Sequence, residues 1–188
     1  MIVIRKNEPP GNFVEQYTYV QSRSFLAKAI MPITRRLRAV QAERYMPKTM
    51  KRHIDVGCGD GYFLKRSWAD ERHGHDELYG DKLSDLSQFP DNHFDCVTLL
   101  AVLEHFDDPD IVRTEVFRIL KPKGRLIMTT PRKAAHGLIS MYSTSVGHEH
   151  KHYYDKRSLD ALASGLYTFV DYRTFLFGMN QVVCFEKP

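Results

Sequence analysis

A chain of 188 residues with 43% hydrophobic content has the size and apolar fraction of one α/β domain with a substantial core, leaving little room for a second. A formal charge of +4 is too mild to indicate nucleic acid, and no apolar run is long enough for a signal peptide or a bilayer span. Three cysteines, Cys58, Cys96 and Cys184, are an odd number without metal-ligand spacing, which suits reduced thiols in a cytoplasmic protein.

Residues 13 to 45 carry helical periodicity through Phe25, Leu26, Ile30, Ile33, Leu37 and Val40, and Pro32 is expected to divide the region into two helices. The basic group Arg35, Arg36 and Arg38 reads as a solvated helix face, with contact to an acidic substrate or to nucleic acid as the minority reading. A strand at about 52 to 56 then runs into Gly57-Cys58-Gly59-Asp60-Gly61, and a helix follows from Tyr62 to Trp68 with Phe63 and Leu64 facing the sheet. Glycine lets the backbone take positive φ and approach a ligand closely, while the helix start turns unpaired amides toward the crevice. The spacing is G-x-G-x-G, one residue shorter than the G-x-G-x-x-G of dinucleotide-binding proteins.

Beyond a polar stretch, Cys96 to Leu100 reads as a buried parallel strand. Glu104-His105-Phe106-Asp107-Asp108-Pro109 closes it and opens a helix from about Asp110 to Leu120, with Ile111, Val112, Val116, Ile119 and Leu120 on its apolar face. Lys121-Pro122-Lys123-Gly124 ends that helix, and Arg125 to Thr130 is the next strand. A loop from Pro131 to Tyr154 precedes a short helix begun by Asp155 or Ser158; strands at about 169–176 and 181–186 are joined by Gly178-Met179-Asn180. Alternating strands and helices followed by a terminal hairpin imply a Rossmann-like, mostly parallel α/β sheet with one antiparallel C-terminal strand and N-terminal helices.

The glycine turn, Phe94-Asp95 before a strand, Leu103-Glu104-His105, Leu120-Lys121-Pro122-Lys123-Gly124 and the strand 125–130, in this order, resemble the class I S-adenosylmethionine (SAM)-dependent methyltransferases. Within them the likeness is to the type 11-like small-molecule group that includes ubiquinone and menaquinone methyltransferases. It covers roughly residues 50 to 131. The resemblance implies a helical cap at 1–48, a SAM-binding core at 49–131 and acceptor-side elements at 132–188, with SAM as cofactor and a small-molecule acceptor as partner. It leaves the oligomeric state open, a homodimer included.

The chain departs from the family between residues 69 and 93. Gly74-His75-Asp76 looks like the end of the second strand and Gly80-Asp81 like the turn beside the adenine, and only three residues separate Asp76 from Gly80. A helix and a strand need about a dozen residues, so the second helix and third strand are deleted or reduced and the sheet is expected to be smaller than the usual seven strands. The resemblance implies that Asp55, Gly57, Cys58 and Gly59 hold the methionine end of the cofactor. Asp76, with Asp81 as alternative, would hold the ribose, since an acid at a strand's carboxyl end can accept both hydroxyl hydrogens. Asp81 and Lys82 then stand at the adenine, with Leu83 or Leu100 against the ring.

Glu104 and His105 lie where the transferred methyl would project, and either could serve as base for a hydroxyl acceptor; a structural role for His105 is equally open. In some relatives this pair joins further acids around a divalent metal, but Ala101 stands where one such acid is expected, which argues against a metal. His148, His150, His152 and Tyr153 form a substrate-side cluster, read as a lid or acceptor-facing loop against a plain solvated loop or a zinc site. Two other classes stay open: a SAM-binding module without catalysis, suggested by the shortened middle, and a nicotinamide oxidoreductase, favoured only by the glycine turn.

Overall fold

The computed structural model describes residues 2–4, 25–132 and 153–188. Seven strands form one sheet: β1 Ile2–Ile4, β2 Arg52–Val56, β3 Glu71–His75, β4 Phe94–Leu100, β5 Leu120–Pro131, β6 Thr168–Phe175 and β7 Asn180–Glu186. Their order across the sheet is β1-β3-β2-β4-β5-β7-β6. The first five neighbours pair parallel, and β7 runs antiparallel to both β5 and β6, so it is the one reversed strand. Chain direction across the sheet reverses between β2 and β4, and the crevice beyond such a switch point is where open α/β sheets hold ligands.

The shortening after the second core strand is present: residues 76–93 contain only the 3₁₀ turn Glu77–Tyr79. The described residues from 52 onward accordingly contribute six strands. Among the described residues the total is nevertheless seven, because Ile2–Ile4 pairs in parallel with Arg72–Gly74 and takes the edge next to β3. A sheet edge with unpaired amides is a liability, and this three-residue strand pairs part of it.

Alternation along the strands divides the core into two layers. Ile54, Val56, Val97, Leu99, Leu126, Met128, Val183 and Phe185 face helices α3 (Glu115–Ile119) and α4 (Lys156–Ala163). Cys96, Ile127, Val182 and Cys184 face α1 (Phe25–Glu43) and α2 (Tyr62–Arg66) through Ala39, Ala42 and Phe63. Asp155 caps α4 by accepting from Ser158 N at 2.7 Å while Ser158 Oγ accepts from Asp155 N at 2.8 Å, a reciprocal capping box.

Two helix expectations need correction. Pro32 does not divide its region within the described residues: α1 runs unbroken from Phe25 to Glu43 with Pro32 inside it. The fully buried Ala39 and Ala42 anchor the turns beyond the proline, offsetting the roughly 3 kcal/mol that an interior proline costs. The helix expected at 110–120 is instead a 3₁₀ turn, Pro109–Val112, followed by the short α3. Thr114 Oγ1 donates to Asp110 O at 3.1 Å, a local bond that competes with regular helix at the junction. Arg113 leaves its own segment to donate from Nη1 to the carbonyls of Ala161, Leu162 and Ser164, completing the end of α4.

The segment that replaces the missing helix and strand is held by one side chain. Arg118 donates to Phe89 O and Asp91 Oδ1, each at 2.8 Å, to Leu86 O at 2.9 Å, and to Glu115 at 2.8 Å. Leu86 and Phe94 are fully buried beneath it.

Candidate functional site

The turn after β2 is built around three glycines with φ of 75°, 53° and 72° at Gly57, Gly59 and Gly61. Two of them serve different ends. A Cβ on Gly57 would stand 1.9 Å from Val102 Cγ2, so this glycine lets the turn close against the end of β4. A Cβ on Gly59 would meet nothing within 4 Å, so that backbone borders open space in the crevice.

Beneath the turn runs a buried polar chain. Thr98 donates to Asp55 Oδ1 at 2.6 Å, which leaves its oxygen to accept from His53 Nε2 at 2.9 Å, and Ser67 Oγ lies 3.0 Å from His53 Nδ1. Burial pushes His53 down to about 3, so it is neutral. Burial also pushes Asp55 up to about 7, aided by the nearby Asp76 charge and opposed by the Thr98 bond and by Arg35. Cys58 is buried and its thiol is pushed well up by the same desolvation, so it is a small packing group.

Asp76 follows β3 directly. Its Oδ2 accepts from Gly59 N at 2.7 Å and its Oδ1 from Leu78 N at 2.9 Å, so it ties the glycine turn to the 3₁₀ turn 77–79 and keeps two lone-pair directions for a ligand. Tyr79 Oη adds a bond to Gly59 O at 2.9 Å. Asp81 Oδ2 accepts from Asp76 N at 3.3 Å and lies 3.5 Å from His75 Nδ1. His75, buried, also contacts Lys82 O at 2.9 Å and the Gln88 amide at 3.2 Å. A polar cavity of about 260 Å³ opens here, lined by His75, Gly80, Asp81, Lys82, Asp85, Ser87 and Gln88. Leu83 packs on the core beneath α3 and α4, and Leu100 on the core beneath α1.

At the far side of the crevice the chain leaves β4 through Ala101, which is held at φ 58° while its N–H donates to Thr129 O at 2.8 Å. This kink delivers the 3₁₀ turn Leu103–His105. Glu104 is 1% exposed, its Oε2 has no hydrogen-bond partner among the described residues, and burial pushes it up to about 7 against the opposing charge of Arg38. His105 beside it is partly buried. Tyr153 and Tyr154 border the same region, and Gln181 Nε2 holds the latter's carbonyl at 2.7 Å and Thr130 Oγ1 at 2.8 Å. His148, His150 and His152 lie outside the described residues. Among the described residues, no group of three or more His, Cys, Asp or Glu side chains is placed to hold a metal ion.

The arginines of α1 were only faintly legible. Arg35 and Arg36 are exposed, as expected of a solvated helix face, but Arg35 also pairs with Asp60 and stacks 4.2 Å from the Tyr62 ring centre, so it clasps the glycine turn from its solvent side. Arg38 follows three residues later on the same helix face, and this i, i+3 spacing was the available signal. Tyr79, His75 and Gln88 carried no sequence signal, because their roles depend on contacts made by the shortened segment.

Comparison with known proteins agrees with this architecture. Residues 23–166 match the sequence profile of a family described as a methyltransferase domain, well over half of the chain. A short stretch is 48% identical over 40 residues to the ubiquinone/menaquinone biosynthesis C-methyltransferase UbiE of Vibrio cholerae, spanning 21% of this chain and only 15% of that protein. Among solved structures, a chain of the complex between the Haloferax volcanii Trm112 methyltransferase activator and a methyltransferase superposes with a TM-score of 0.69 at 14% identity, covering 93% of this chain and 97% of that one. The N-methyltransferase NodS of Bradyrhizobium japonicum, in complex with S-adenosyl-L-homocysteine (SAH), gives 0.64 at 16% identity, covering 93% and 98%. Sheet order, glycine turn and family match together establish that this chain belongs to the methyltransferase-domain family, the class I SAM-dependent methyltransferases, whose cofactor is SAM.

Proposed function

We propose that this chain binds SAM along the crevice from the glycine turn to the Asp81 cavity and transfers its methyl group to a small-molecule, lipid-like or glycan-precursor acceptor. The observation that carries the reading is the glycine turn itself, with Gly59 bordering open space and Asp76 and Asp81 placed beside it. In this reading Asp55, Gly57, Cys58 and Gly59 hold the methionine end, Asp76 the ribose, and Asp81 with Lys82 the adenine. Bound SAM supplies an electrophilic methyl on a sulfonium. The protein's own work is to align the acceptor and exclude water, which is worth several powers of ten. Glu104 is our choice of base for a hydroxyl acceptor, supported by its burial and its proton affinity near neutrality; His105 is the neighbouring candidate. Of the cap expected at 1–48, Ile2–Ile4 is an edge strand and Phe25–Glu43 a helix; we place the acceptor side at 132–188 and propose a cytoplasmic location, which the three free, buried cysteines favour.

The second reading, a SAM-binding module without turnover, draws on the shortened segment 76–93 and on the bonds already made by both Asp76 oxygens. Calorimetric titration with SAH tests the shared part. We expect one site per chain, weakened at least tenfold by Asp76→Asn and by Asp81→Asn. A folded protein that does not bind SAH defeats both readings, while tight SAH binding without methyl transfer over a broad acceptor panel favours the second.

A further inference from the structure

One cation at this crevice, with a buried N–H, is left unexplained by cofactor binding. Arg38 lies on α1 with its Nε shut off from solvent and without a hydrogen-bond partner among the described residues. It makes no ion pair with Glu104, although the two groups are close enough to influence each other's charge. Glu104, 1% exposed, likewise leaves Oε2 without a partner among the described residues. Two groups of opposite charge thus influence each other without pairing, and each keeps one buried polar atom with no hydrogen-bond partner among the described residues. A guanidinium N–H shut off from water and left without a partner is costly, and the planar fork of an arginine matches a carboxylate or phosphate.

The two arginines of this helix face divide the crevice between them. Arg35 senses Asp55 and pairs with Asp60, both in the cofactor turn, whereas Arg38 senses Glu104 on the side where the acceptor would lie. We propose that Arg38 is a specificity-determining residue that grips an anionic group, a carboxylate or a phosphate, on the methyl acceptor. The acceptor is then an acid whose anion sits on Arg38 while the atom to be methylated faces Glu104. This rests on the methyltransferase reading and narrows it from any small molecule to an anionic one.

The test follows the guanidinium Nε–H resonance of Arg38 by proton–nitrogen NMR in the SAH-saturated protein, assigned by its loss in Arg38→Met. Titration with sodium formate and with sodium phosphate, against sodium chloride at equal ionic strength, should move this resonance saturably. Whichever anion binds more tightly names the group. Arg38→Lys, with its fold verified by near-ultraviolet circular dichroism, should weaken that binding at least tenfold.

A resonance that moves on adding SAH but ignores both anions would place the cofactor's own carboxylate on Arg38 and overturn the proposal, as would one that ignores all three. SAH calorimetry on the same sample separates the two failures. No SAH binding defeats the methyltransferase reading, while normal SAH binding with a silent Arg38 defeats only this proposal.

Discussion

Gly57→Ala and Gly59→Ala place the same methyl group two residues apart in one turn, and the structure assigns them opposite consequences. Both positions have positive φ, which costs an L-residue about 1–2 kcal/mol. At Gly57 the new Cβ would also lie 1.9 Å from Val102 Cγ2 and 2.9 Å from both Val102 Cβ and Cγ1, far inside contact distance, and overpacking of this kind adds about 1–3 kcal/mol. Gly57→Ala should therefore destabilise by roughly 2–5 kcal/mol, a sum of the backbone and packing costs. Gly59→Ala, with nothing within 4 Å, should lose only the backbone part yet weaken SAH binding by tenfold or more, because its methyl enters the open crevice. Urea unfolding gives the stabilities and SAH calorimetry the affinities. Val102→Ala supplies the internal check: in a double-mutant cycle it should return at least 1 kcal/mol of the Gly57→Ala loss by making room. Equal destabilisation at the two glycines, or a cycle with no coupling, would refute the division of labour.

Three further outcomes follow from the same geometry. Burial raises Asp55 in the folded state to about 7 from an ordinary 3.8, so between about pH 4 and 7 the native protein holds a proton that the unfolded chain has lost. Stability contributed by this group is thus full below pH 4 and falls as pH rises, by up to on the order of 4 kcal/mol. Asp55→Asn should flatten that slope in unfolding at pH 5 and pH 8, and an unchanged slope would contradict the assignment. Arg118→Met should cost about 2–4 kcal/mol in urea unfolding, because it strands the Leu86 and Phe89 carbonyls and two carboxylates at once; a loss below 0.5 kcal/mol would show that the shortened segment stands without it. Glu104→Gln should leave SAH affinity within twofold and lower kcat by about 10²-fold or more when methyl transfer from labelled SAM is followed, and unchanged kcat would remove Glu104 as base.

What could be read from sequence was what depends on neighbours along the chain. The β2 strand and its glycine turn, the Cys96–Leu100 run and the Asp155 cap each occupy a few consecutive residues whose chemistry dictates one local conformation. The deletion between Asp76 and Phe94 was legible for the same reason, since it is a matter of counting residues. Its remedy was not, because the Ile2–Ile4 edge strand is specified by pairing with residues some seventy positions away. Pro32 shows tertiary packing overriding a local breaker, and Thr114 shows a side-chain bond interrupting a sound apolar period. In the candidate site, the acids Asp55, Asp76 and Asp81 stood out by position. Arg38 stood out only as one of a basic group, and Tyr79 and Gln88 not at all, as nothing in their flanking residues indicates where the fold takes their side chains.

A crystal structure of the whole chain with SAH bound bears most directly on the central claim, that this crevice is a SAM site despite its shortened middle. We expect the ribose hydroxyls on Asp76, the adenine amino group at Asp81, the amino-acid end against residues 57–59 and the sulfur facing Glu104. SAH bound elsewhere, or in this crevice with neither Asp76 nor Asp81 in contact, would contradict it.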